Sequence, residues 1–331
     1  MSLIHENRYR TRMCADVSDE DIGREIIVSG WVASHRDHGG LIFIDLRDRG
    51  GIAQVVVDPQ RSPEAHKKAE QVRAEYVVRV AGKVTARPPG RENPALKTGW
   101  LELEATELDI LSTSPPLPFP IEDGIKTGED TRLEYRYLDL RRPEMTRMLM
   151  LRHKFLAATR RSLDEMDFCE VETPLLGKST PEGARDYLVP SRLNPGAFYA
   201  LPQSPQLYKQ LLMVAGLDRY YQVAKCLRDE DSRGDRQPEF TQIDIEMSFP
   251  EVDDVFLVTE RMLKEAFAAA GVEIATPFPR LAHSHVMEKY GSDKPDMRYG
   301  LELADVSDTA RRTGARIFAE ALDAGGRVKA L

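Results

Sequence analysis

Cysteine is scarce in this chain, and long apolar runs are missing from it. The 331 residues include three cysteines, Cys14, Cys169 and Cys226, which lie far apart and form no Cys-x-x-Cys pair. This spacing indicates neither a disulfide framework nor a zinc site, so reduced thiols are expected. No apolar run approaches the roughly 20 residues that span a bilayer, so no membrane partner is expected.

A leader segment, a basic surplus and a metal cluster are also missing. The opening residues MSLIHENR carry no apolar stretch after their charges, so no secretory signal or transit peptide is predicted, and the expected location is cytoplasmic. The net charge of −8 argues against indiscriminate coating of nucleic acid, because that mode needs a basic surface. His35 with His38, and His283 with His285, come without further ligands, so no metal site is predicted.

The chain does contain a globular composition, with 41% apolar and 30% charged residues. Its length suits two or three domains of about 100 to 200 residues each. In the first third, strands are predicted at 26–32, 41–46, 54–57, 76–84 and 100–111, with a helix at 63–73. This order is typical of an OB-fold, a small barrel whose open face binds single-stranded nucleic acid.

Proline interrupts the chain after these strands. The stretch 112–120 holds four prolines, which predicts a stiff extended linker and the end of the first domain. Helical spacing begins near Tyr137, and its apolar stripe is expected to lie in the core or at an interface. The stripe comprises Leu149, Phe155, Leu156, Leu163 and Met166. Another helix is predicted at 251–270, with Gly271 as its stop.

A charged hairpin is predicted at 220–249. In its second arm Ile243, Ile245, Met247 and Phe249 alternate with Gln242, Asp244, Glu246 and Ser248, as in a half-buried strand. The loop between the arms carries arginines at positions 228, 233 and 236 among four acids. A guanidinium suits phosphate oxygens, whereas the alternative is a solvated hairpin whose charges only maintain solubility.

The order of residues in this loop resembles a known family motif. RDED at 228–231, followed by DRQPEFTQ at 235–242, resembles motif 2 of the class II aminoacyl-tRNA synthetases, and specifically of the bacterial aspartyl enzymes. The resemblance extends through Glu172-Thr-Pro174, which is similar to motif 1, and through 179–190 and 199–213. The segment 30–48 resembles the anticodon-binding barrel of the same family.

The resemblance implies an α+β chain, in which an N-terminal OB-fold barrel precedes a class II antiparallel sheet flanked by helices. The implied domains are an anticodon-binding barrel at 1–111, a linker or hinge at 112–136, a catalytic domain with motifs 1 and 2 at 137–290, and the start of an insertion domain at 291–331. Motif 1 implies a homodimer with Pro174 at its interface. The resemblance includes motifs 1 and 2 of the family but not its motif 3, so impaired activity of the isolated chain is expected.

The implied chemistry is activation of L-aspartate by ATP with Mg²⁺ to aspartyl-adenylate, followed by transfer to tRNA-Asp. Arg228 is the expected catalytic residue, bridging the α-phosphate and the substrate carboxylate, and Phe240 is expected to stack on adenine. The expected ATP-binding residues are Arg228, Asp229, Glu230, Gln237 and Phe240. The expected aspartate-binding residues are Glu182, Ser204, Gln206, Lys209, Arg228 and Asp244.

Lys209 is expected to select aspartate over asparagine, since a neutral amide gains little from a buried cation. Two alternatives follow from the residues alone. Lys209 could pair with a neighbouring acid, and Gln206 could face solvent on a helix after Pro205.

On the barrel, the resemblance implies anticodon contacts by Arg36, Phe43, Gln54 and Glu102, with Phe43 stacking on a base. Spacing alone favours Phe43 as a core aromatic. His38 lies in the segment that chooses the tRNA, and it is expected to admit tRNA-Asn as well. A second hypothesis is a non-catalytic module that binds tRNA and dimerises.

Overall fold

The computed structural model describes residues 6–180 and 182–331. Residues 1–5, on which the expectation about a leader segment depends, lie outside the described residues. The chain divides into two compact units, one ending at Arg152 and the other starting at His153. The strands are β1 (Glu25–His38), β2 (Leu41–Arg47), β3 (Ile52–Val57), β4 (Val77–Ala86), β5 (Leu101–Ser112), β6 (Cys169–Glu170), β7 (Leu188–Pro190), β8 (Phe198–Ala200), β9 (Arg219–Leu227), β10 (Glu239–Met247), β11 (Ala304–Asp305) and β12 (Lys329–Ala330). The helices are α1 (Pro63–Ala69), α2 (Glu129–Glu134), α3 (Arg136–Asp139), α4 (Pro143–Asp164), α5 (Gln206–Val214), α6 (Val252–Ala269), α7 (His283–Tyr290), α8 (Ser307–Arg312) and α9 (Arg316–Asp323).

The first unit contains a closed barrel of strand order β1-β2-β3-β5-β4. Helix α1 follows β3 and precedes β4, as predicted for an OB-fold. Alternate residues of each strand point inward, and the core includes Val28, Ile44, Val55, Val80 and Leu103. The barrel prediction is therefore confirmed in strand number, order and helix position.

Two boundaries in the barrel differ from the prediction by more than two residues. Strand β1 runs six residues past its predicted end at 32, because its ladder with β2 continues to His38 opposite Leu41. The turn that joins them contains Gly39 and Gly40, both at positive φ, a conformation that glycine adopts without strain. Helix α1 ends at Ala69, since the amides of Gln71 and Val72 bond three residues back, as in a 3₁₀ turn.

Arg141, which follows the barrel in the chain, forms an ion pair with the buried Glu75 of the barrel. The Glu75 carboxylate accepts two hydrogen bonds of 2.8 Å from Arg47 and one of 2.8 Å from Arg141. The Glu75 side chain is only 2% exposed, and the Arg141 guanidinium lies 5.0 Å from the Trp31 ring centroid. These contacts lie within the first unit, and the predicted domain boundaries stay predictions.

The second unit is built on a sheet of order β10-β9-β6. Strands β9 and β10 form the predicted antiparallel hairpin, with Glu239 opposite Leu227 and Met247 opposite Arg219. The short strand β6 adds to β9 in parallel, so the predicted antiparallel sheet is mixed. Its core contains Leu163, Phe168, Tyr221, Val258 and Met262, with Ile243, Ile245 and Met247 packed against it.

One residue of the predicted hairpin face is placed wrongly by the pattern. Phe249 is 98% exposed and has a φ of 54°. The strand ends at Met247, and the next amide, of Ser248, donates to the Asp218 carbonyl at 2.8 Å. That bond turns the chain away from the sheet before Phe249, so the apolar alternation continues one step beyond the strand.

The two long helices form close to prediction. Helix α6 starts with a capping box of Glu251 and Asp254, and Gly271 follows its end at a φ of 82°. The α4 stripe is split: Leu163 is fully buried, whereas Leu149 is 54% exposed. Packing in the described chain therefore accounts for the C-terminal part of that stripe, and the interface role predicted for the rest stays a prediction.

Candidate active site

The mouth of the β9–β10 hairpin holds a cavity of about 470 Å³. The backbone amide of Arg228 donates to the Pro238 carbonyl at 2.9 Å, which closes the base of the loop. The Arg228 guanidinium lies 5.1 Å from the centroid of the Phe240 ring, a cation–π distance. The cavity is lined by Arg228, Glu230, Asp231, Asp235, Arg236, Gln237, Glu239 and Phe240.

Four of the five predicted ATP-binding residues therefore line one cavity. The fifth, Asp229, lines a neighbouring cavity of about 300 Å³ together with Glu230 and Arg185. The Nε atom of Arg228 is buried and has no hydrogen-bond partner among residues 6–180 and 182–331. Such a donor is costly to leave unpaired, and in this position it could bind an anion entering the cavity.

A buried ion cluster lies between α5 and β10. The Lys209 ammonium donates to Asp244 Oδ1 at 2.8 Å and lies 3.3 Å from Glu246 Oε2. Lys209 and Asp244 are each 9% exposed. Burial lowers the pKa of Lys209, but the bonds and charges of Asp244 and Glu246 outweigh it, so the pKa is raised. The ion pair predicted by the alternative for Lys209 is thus present, and its role in aspartate binding stays a prediction.

The Asp244 carboxylate is only half satisfied. Its Oδ2 atom is buried without a hydrogen-bond partner in the described part of the chain. Burial, followed by the charge of Asp244, raises the pKa of the nearby Tyr220 hydroxyl well above its ordinary value. The Tyr220 hydroxyl therefore lies close to Asp244, and a buried carboxylate oxygen can also accept a hydrogen bond from a cationic ligand group.

Glu182 and Ser204 form a second polar pair. Glu182 accepts hydrogen bonds from Ser204 Oγ at 2.8 Å and from Thr180 Oγ1 at 3.0 Å. Both predicted aspartate-binding residues line a small cavity that also touches Pro174. Gln206 is half-buried as the first residue of α5, so it does not project fully into solvent.

The thiol of Cys226 is influenced by charges from both predicted groups, the ATP-binding residues and the aspartate-binding residues. This thiol is fully buried, and burial raises its pKa to about 11. The charges of Arg228 and Lys209 lower that pKa, and those of Asp244 and Glu182 raise it. All four predicted residues therefore influence the pKa of one buried thiol, although Arg228 and Glu182 line different cavities. Nothing in the sequence around Cys226 singled it out beyond a reduced thiol.

The predicted anticodon residues lie together on the outside of the barrel. Arg36 is paired with Phe43 across β1 and β2, and Gln54 Nε2 donates to Glu102 Oε2 at 3.0 Å. Phe43 is half-buried between the inward residues Ile42 and Ile44, so the alternative that places it in the core is wrong. Its ring makes an edge contact with His38, with centroids 5.8 Å apart.

Glu102 is an acid of this surface with a raised pKa. Burial raises the pKa of the Glu102 carboxyl, and the hydrogen bond from Gln54 and the charge of Arg87 oppose that rise. The carboxyl therefore lies on an outer face but in a partly desolvated position. An acceptor held in this way can choose between base edges.

Neither a metal-binding cluster nor a membrane-spanning helix is present in residues 6–180 and 182–331. No group of three or more His, Cys, Asp or Glu side chains there could hold a metal ion. No helix in the same ranges has the length and apolar character needed to cross a membrane.

Comparison with known proteins assigns both parts of the chain. A family model described as tRNA synthetases class II (D, K and N) matches residues 128–314. The chain belongs to this class II family. A second model, described as OB-fold nucleic acid binding domain, matches residues 26–111. The predicted class II fold with an N-terminal OB-fold barrel is thereby confirmed.

Curated relatives narrow the resemblance. An aspartate–tRNA(Asp/Asn) ligase of Aquifex aeolicus (strain VF5) is 54% identical over 323 residues, which are 97% of this chain and 54% of that protein. An aspartate–tRNA ligase of Geobacillus kaustophilus (strain HTA426) is 56% identical over 323 residues, 97% of this chain and 55% of that protein. The chain thus spans about half the length of these relatives, and its resemblance to bacterial aspartyl enzymes is confirmed.

Solved structures agree on the fold. An asparaginyl-tRNA synthetase from Pyrococcus horikoshii complexed with asparaginyl-adenylate matches with a TM-score of 0.70 at 25% identity, covering 78% of this chain and 58% of that chain. A putative aspartyl-tRNA synthetase from Leishmania major Friedlin matches with a TM-score of 0.69 at 23% identity, covering 82% of this chain and 55% of that chain. The second likeness concerns the fold alone.

Proposed function

We propose that this chain belongs to an aspartate–tRNA ligase, which joins L-aspartate to ATP and passes the aspartyl group to tRNA-Asp. The observation that carries the proposal is the pairing of a buried cation–carboxylate cluster at Lys209 and Asp244 with an arginine-lined cavity at Arg228. Both involve the β9–β10 hairpin, since Arg228 directly follows β9 and Asp244 lies on β10 opposite Gln222. Magnesium-ATP enters as a substrate.

In the proposed first step, Arg228 contacts the α-phosphate and the aspartate α-carboxylate, and Phe240 stacks on adenine. The Nε atom of Arg228 is buried and has no hydrogen-bond partner in the described part of the chain. This supports the role, because a donor held in place before charge develops stabilises the transition state. Asp229, Glu230 and Gln237 complete the nucleotide site. The reaction is an in-line displacement at phosphorus, in which the protein mainly supplies position and charge.

Lys209 is proposed to bind the aspartate side-chain carboxylate, and Asp244 Oδ2 to accept from the substrate ammonium. Glu182, Ser204 and Gln206 would line the same pocket. Without ligand, Lys209 is neutralised by Asp244 and Glu246. A substrate carboxylate can join this cluster with its charge matched by the ammonium, whereas an asparagine amide gains less.

On the barrel we infer that Phe43 stacks on an anticodon base, and that Arg36, Gln54 and Glu102 select among bases. The outward position of this group, with Arg36 exposed and Phe43, Gln54 and Glu102 half-buried, supports stacking on unpaired bases. His38, in edge contact with Phe43, is proposed to admit tRNA-Asn as well as tRNA-Asp. Pro174 is proposed to lie at a homodimer interface.

Aspartate-dependent exchange of pyrophosphate into ATP tests the enzymatic proposal. We expect the full gene product to catalyse exchange with aspartate and not with asparagine, and Lys209→Met to abolish it. Lys225→Met is the matched control, because Lys225 also pairs with an acid of the same hairpin but is 62% exposed. Exchange that survives in Lys209→Met would contradict the proposal.

The closed barrel favours one alternative, a module that binds tRNA without activating aspartate. Filter binding separates the two functions. Anticodon-dependent tRNA binding by a full gene product that makes no aspartyl-adenylate would support the module and contradict the ligase.

A further inference from the structure

A buried glutamine outside the predicted site holds one of its loops. Gln203 is 1% exposed. Its Oε1 atom accepts from the Ala184 amide at 3.1 Å, and its Nε2 atom donates to the Ala184 carbonyl at 2.8 Å. The side-chain amide therefore pairs with both backbone groups of one residue, as a neighbouring strand would.

The same amide holds a second point of the loop. Nε2 of Gln203 also donates to Asp186 Oδ1, while Asp186 Oδ2 accepts from Ser179 Oγ at 2.5 Å. The hydrogen bond from Gln203, followed by that from Ser179, lowers the pKa of Asp186. Asp186 is therefore a fixed acceptor that joins the start of the loop to Gln203.

This loop lies between the two halves of the proposed site. It carries Glu182, which accepts from Ser204, the residue after Gln203. The Asp229 amide donates to the Arg185 carbonyl at 3.0 Å, and the Leu227 amide donates to the Pro202 carbonyl at 2.9 Å. The backbone on both sides of the Gln203 contact is thus joined to the base of the β9–β10 hairpin.

We propose that Gln203 is a positioning residue, which clamps segment 182–186 and thereby fixes Glu182 for aspartate binding. The inference rests on the proposed function. Gln203 acts on the substrate through the loop, because both N–H donors of its amide are used by Ala184 and Asp186. A glutamine suits this task since it offers donors and an acceptor without adding charge to a buried position.

The test uses Gln203→Met, which keeps the side-chain length and removes all three hydrogen bonds. In the 331-residue chain, hydrogen exchange at the Ala184 amide should accelerate about tenfold or more. In the full gene product, KM for aspartate should rise about tenfold or more, with kcat and the KM for ATP nearly unchanged, as when ground-state and transition-state binding are lost together.

Gln222→Met is the matched control. Gln222 is also a buried glutamine, 9% exposed, and bonds Thr173 and Tyr220 rather than the loop. Its substitution should destabilise the unit without accelerating exchange at Ala184. If Gln222→Met accelerates that exchange equally, the effect is general loosening and the clamp is wrong.

A rescue tests the chemistry of the contact. Gln203→Glu places two carboxylates side by side and should raise KM for aspartate at least as much as Gln203→Met. Adding Asp186→Asn restores a donor facing an acceptor at this contact, but not the bond to the Ala184 carbonyl, and should recover part of that loss. The inference would be overturned if Gln203→Met left hydrogen exchange at Ala184 unchanged, or accelerated it without changing KM for aspartate. A wild-type gene product without aspartate-dependent exchange would instead overturn the proposed function, and Ala184 exchange would still report on the clamp.

Discussion

Replacing Lys209 with methionine isolates the buried charge at the centre of the site. Methionine keeps the apolar stem and removes the ammonium that contacts Asp244 at 2.8 Å and Glu246 at 3.3 Å. Glu246 is 30% exposed and can regain water. Asp244 is 9% exposed, so its charge is left without a counter-ion in a position that water scarcely reaches.

The magnitude follows from that difference in burial. Breaking a buried pair by removing one partner costs about 3 to 5 kcal/mol, whereas an exposed pair contributes about 0 to 1 kcal/mol. Lys209→Met should therefore lower the free energy of unfolding of the second unit by about 3 kcal/mol or more. Asp244→Asn in the same chain should recover much of this loss, because no buried charge then remains.

The chain offers a direct assay for the location of the effect. Its two tryptophans, Trp31 and Trp100, both belong to the first unit. In urea, tryptophan emission should report the first unit, and far-UV circular dichroism should report both units. Lys209→Met should lower the urea midpoint of the second unit. The dichroism transition of that unit should therefore shift, while the transition seen by tryptophan emission stays unchanged.

Two controls make the result decisive. Lys225→Met removes an exposed pair with Glu239 at 2.9 Å and should cost less than about 1 kcal/mol. Glu75→Gln weakens the buried network with Arg47 and Arg141, and should shift the emission transition instead. The reasoning is refuted if Lys209→Met costs no more than Lys225→Met.

Three further predictions concern the nucleotide site and the barrel. Arg228→Ala should cut aspartate-dependent pyrophosphate exchange a hundredfold or more, about 2.7 to 4 kcal/mol; unchanged exchange contradicts the assigned role. Phe43→Ala should weaken tRNA-Asp binding by about 1 to 3 kcal/mol and barely move the tryptophan transition, since its ring lies outside the core; a shifted transition with unchanged binding would reverse that assignment. Because the folded pKa of Glu102 is raised, its stabilising contribution is full below its ordinary value and is lost as pH rises through the raised value. Glu102→Gln should therefore raise the urea midpoint of the barrel at pH 7, with a gain that vanishes near pH 4; a constant gain at both pH values contradicts it.

The barrel could be predicted because alternation and burial agree along its strands. The structure shows Ile42 and Ile44 pointing inward, and strand parity then places Phe43 on the opposite face of β2, whereas its apolar neighbours in the sequence favoured a core position. The extension of β1 to His38 did not follow, since its last residues are polar and are held by the ladder to β2. Phe249 shows the converse failure, in which an apolar pattern outlasts its strand.

The candidate site was predictable only through family resemblance. Lys209 and Asp244 lie on different elements, 35 residues apart, and no local periodicity links them. Gln203 looks like an ordinary polar loop residue in the sequence, and its role depends on a contact with Ala184, 19 residues earlier in the chain. The position of Cys226 among four charged groups likewise arises from tertiary packing.

Binding of stable adenylate analogues tests the central claim most directly. Titration calorimetry would compare sulfamoyl analogues of aspartyl-adenylate and asparaginyl-adenylate on the full gene product and on its Lys209→Met variant. The account predicts that the aspartyl analogue binds more tightly to the wild type, and that this preference falls about tenfold or more in the variant. Equal binding of both analogues to the wild type, or an undiminished preference in Lys209→Met, would contradict it.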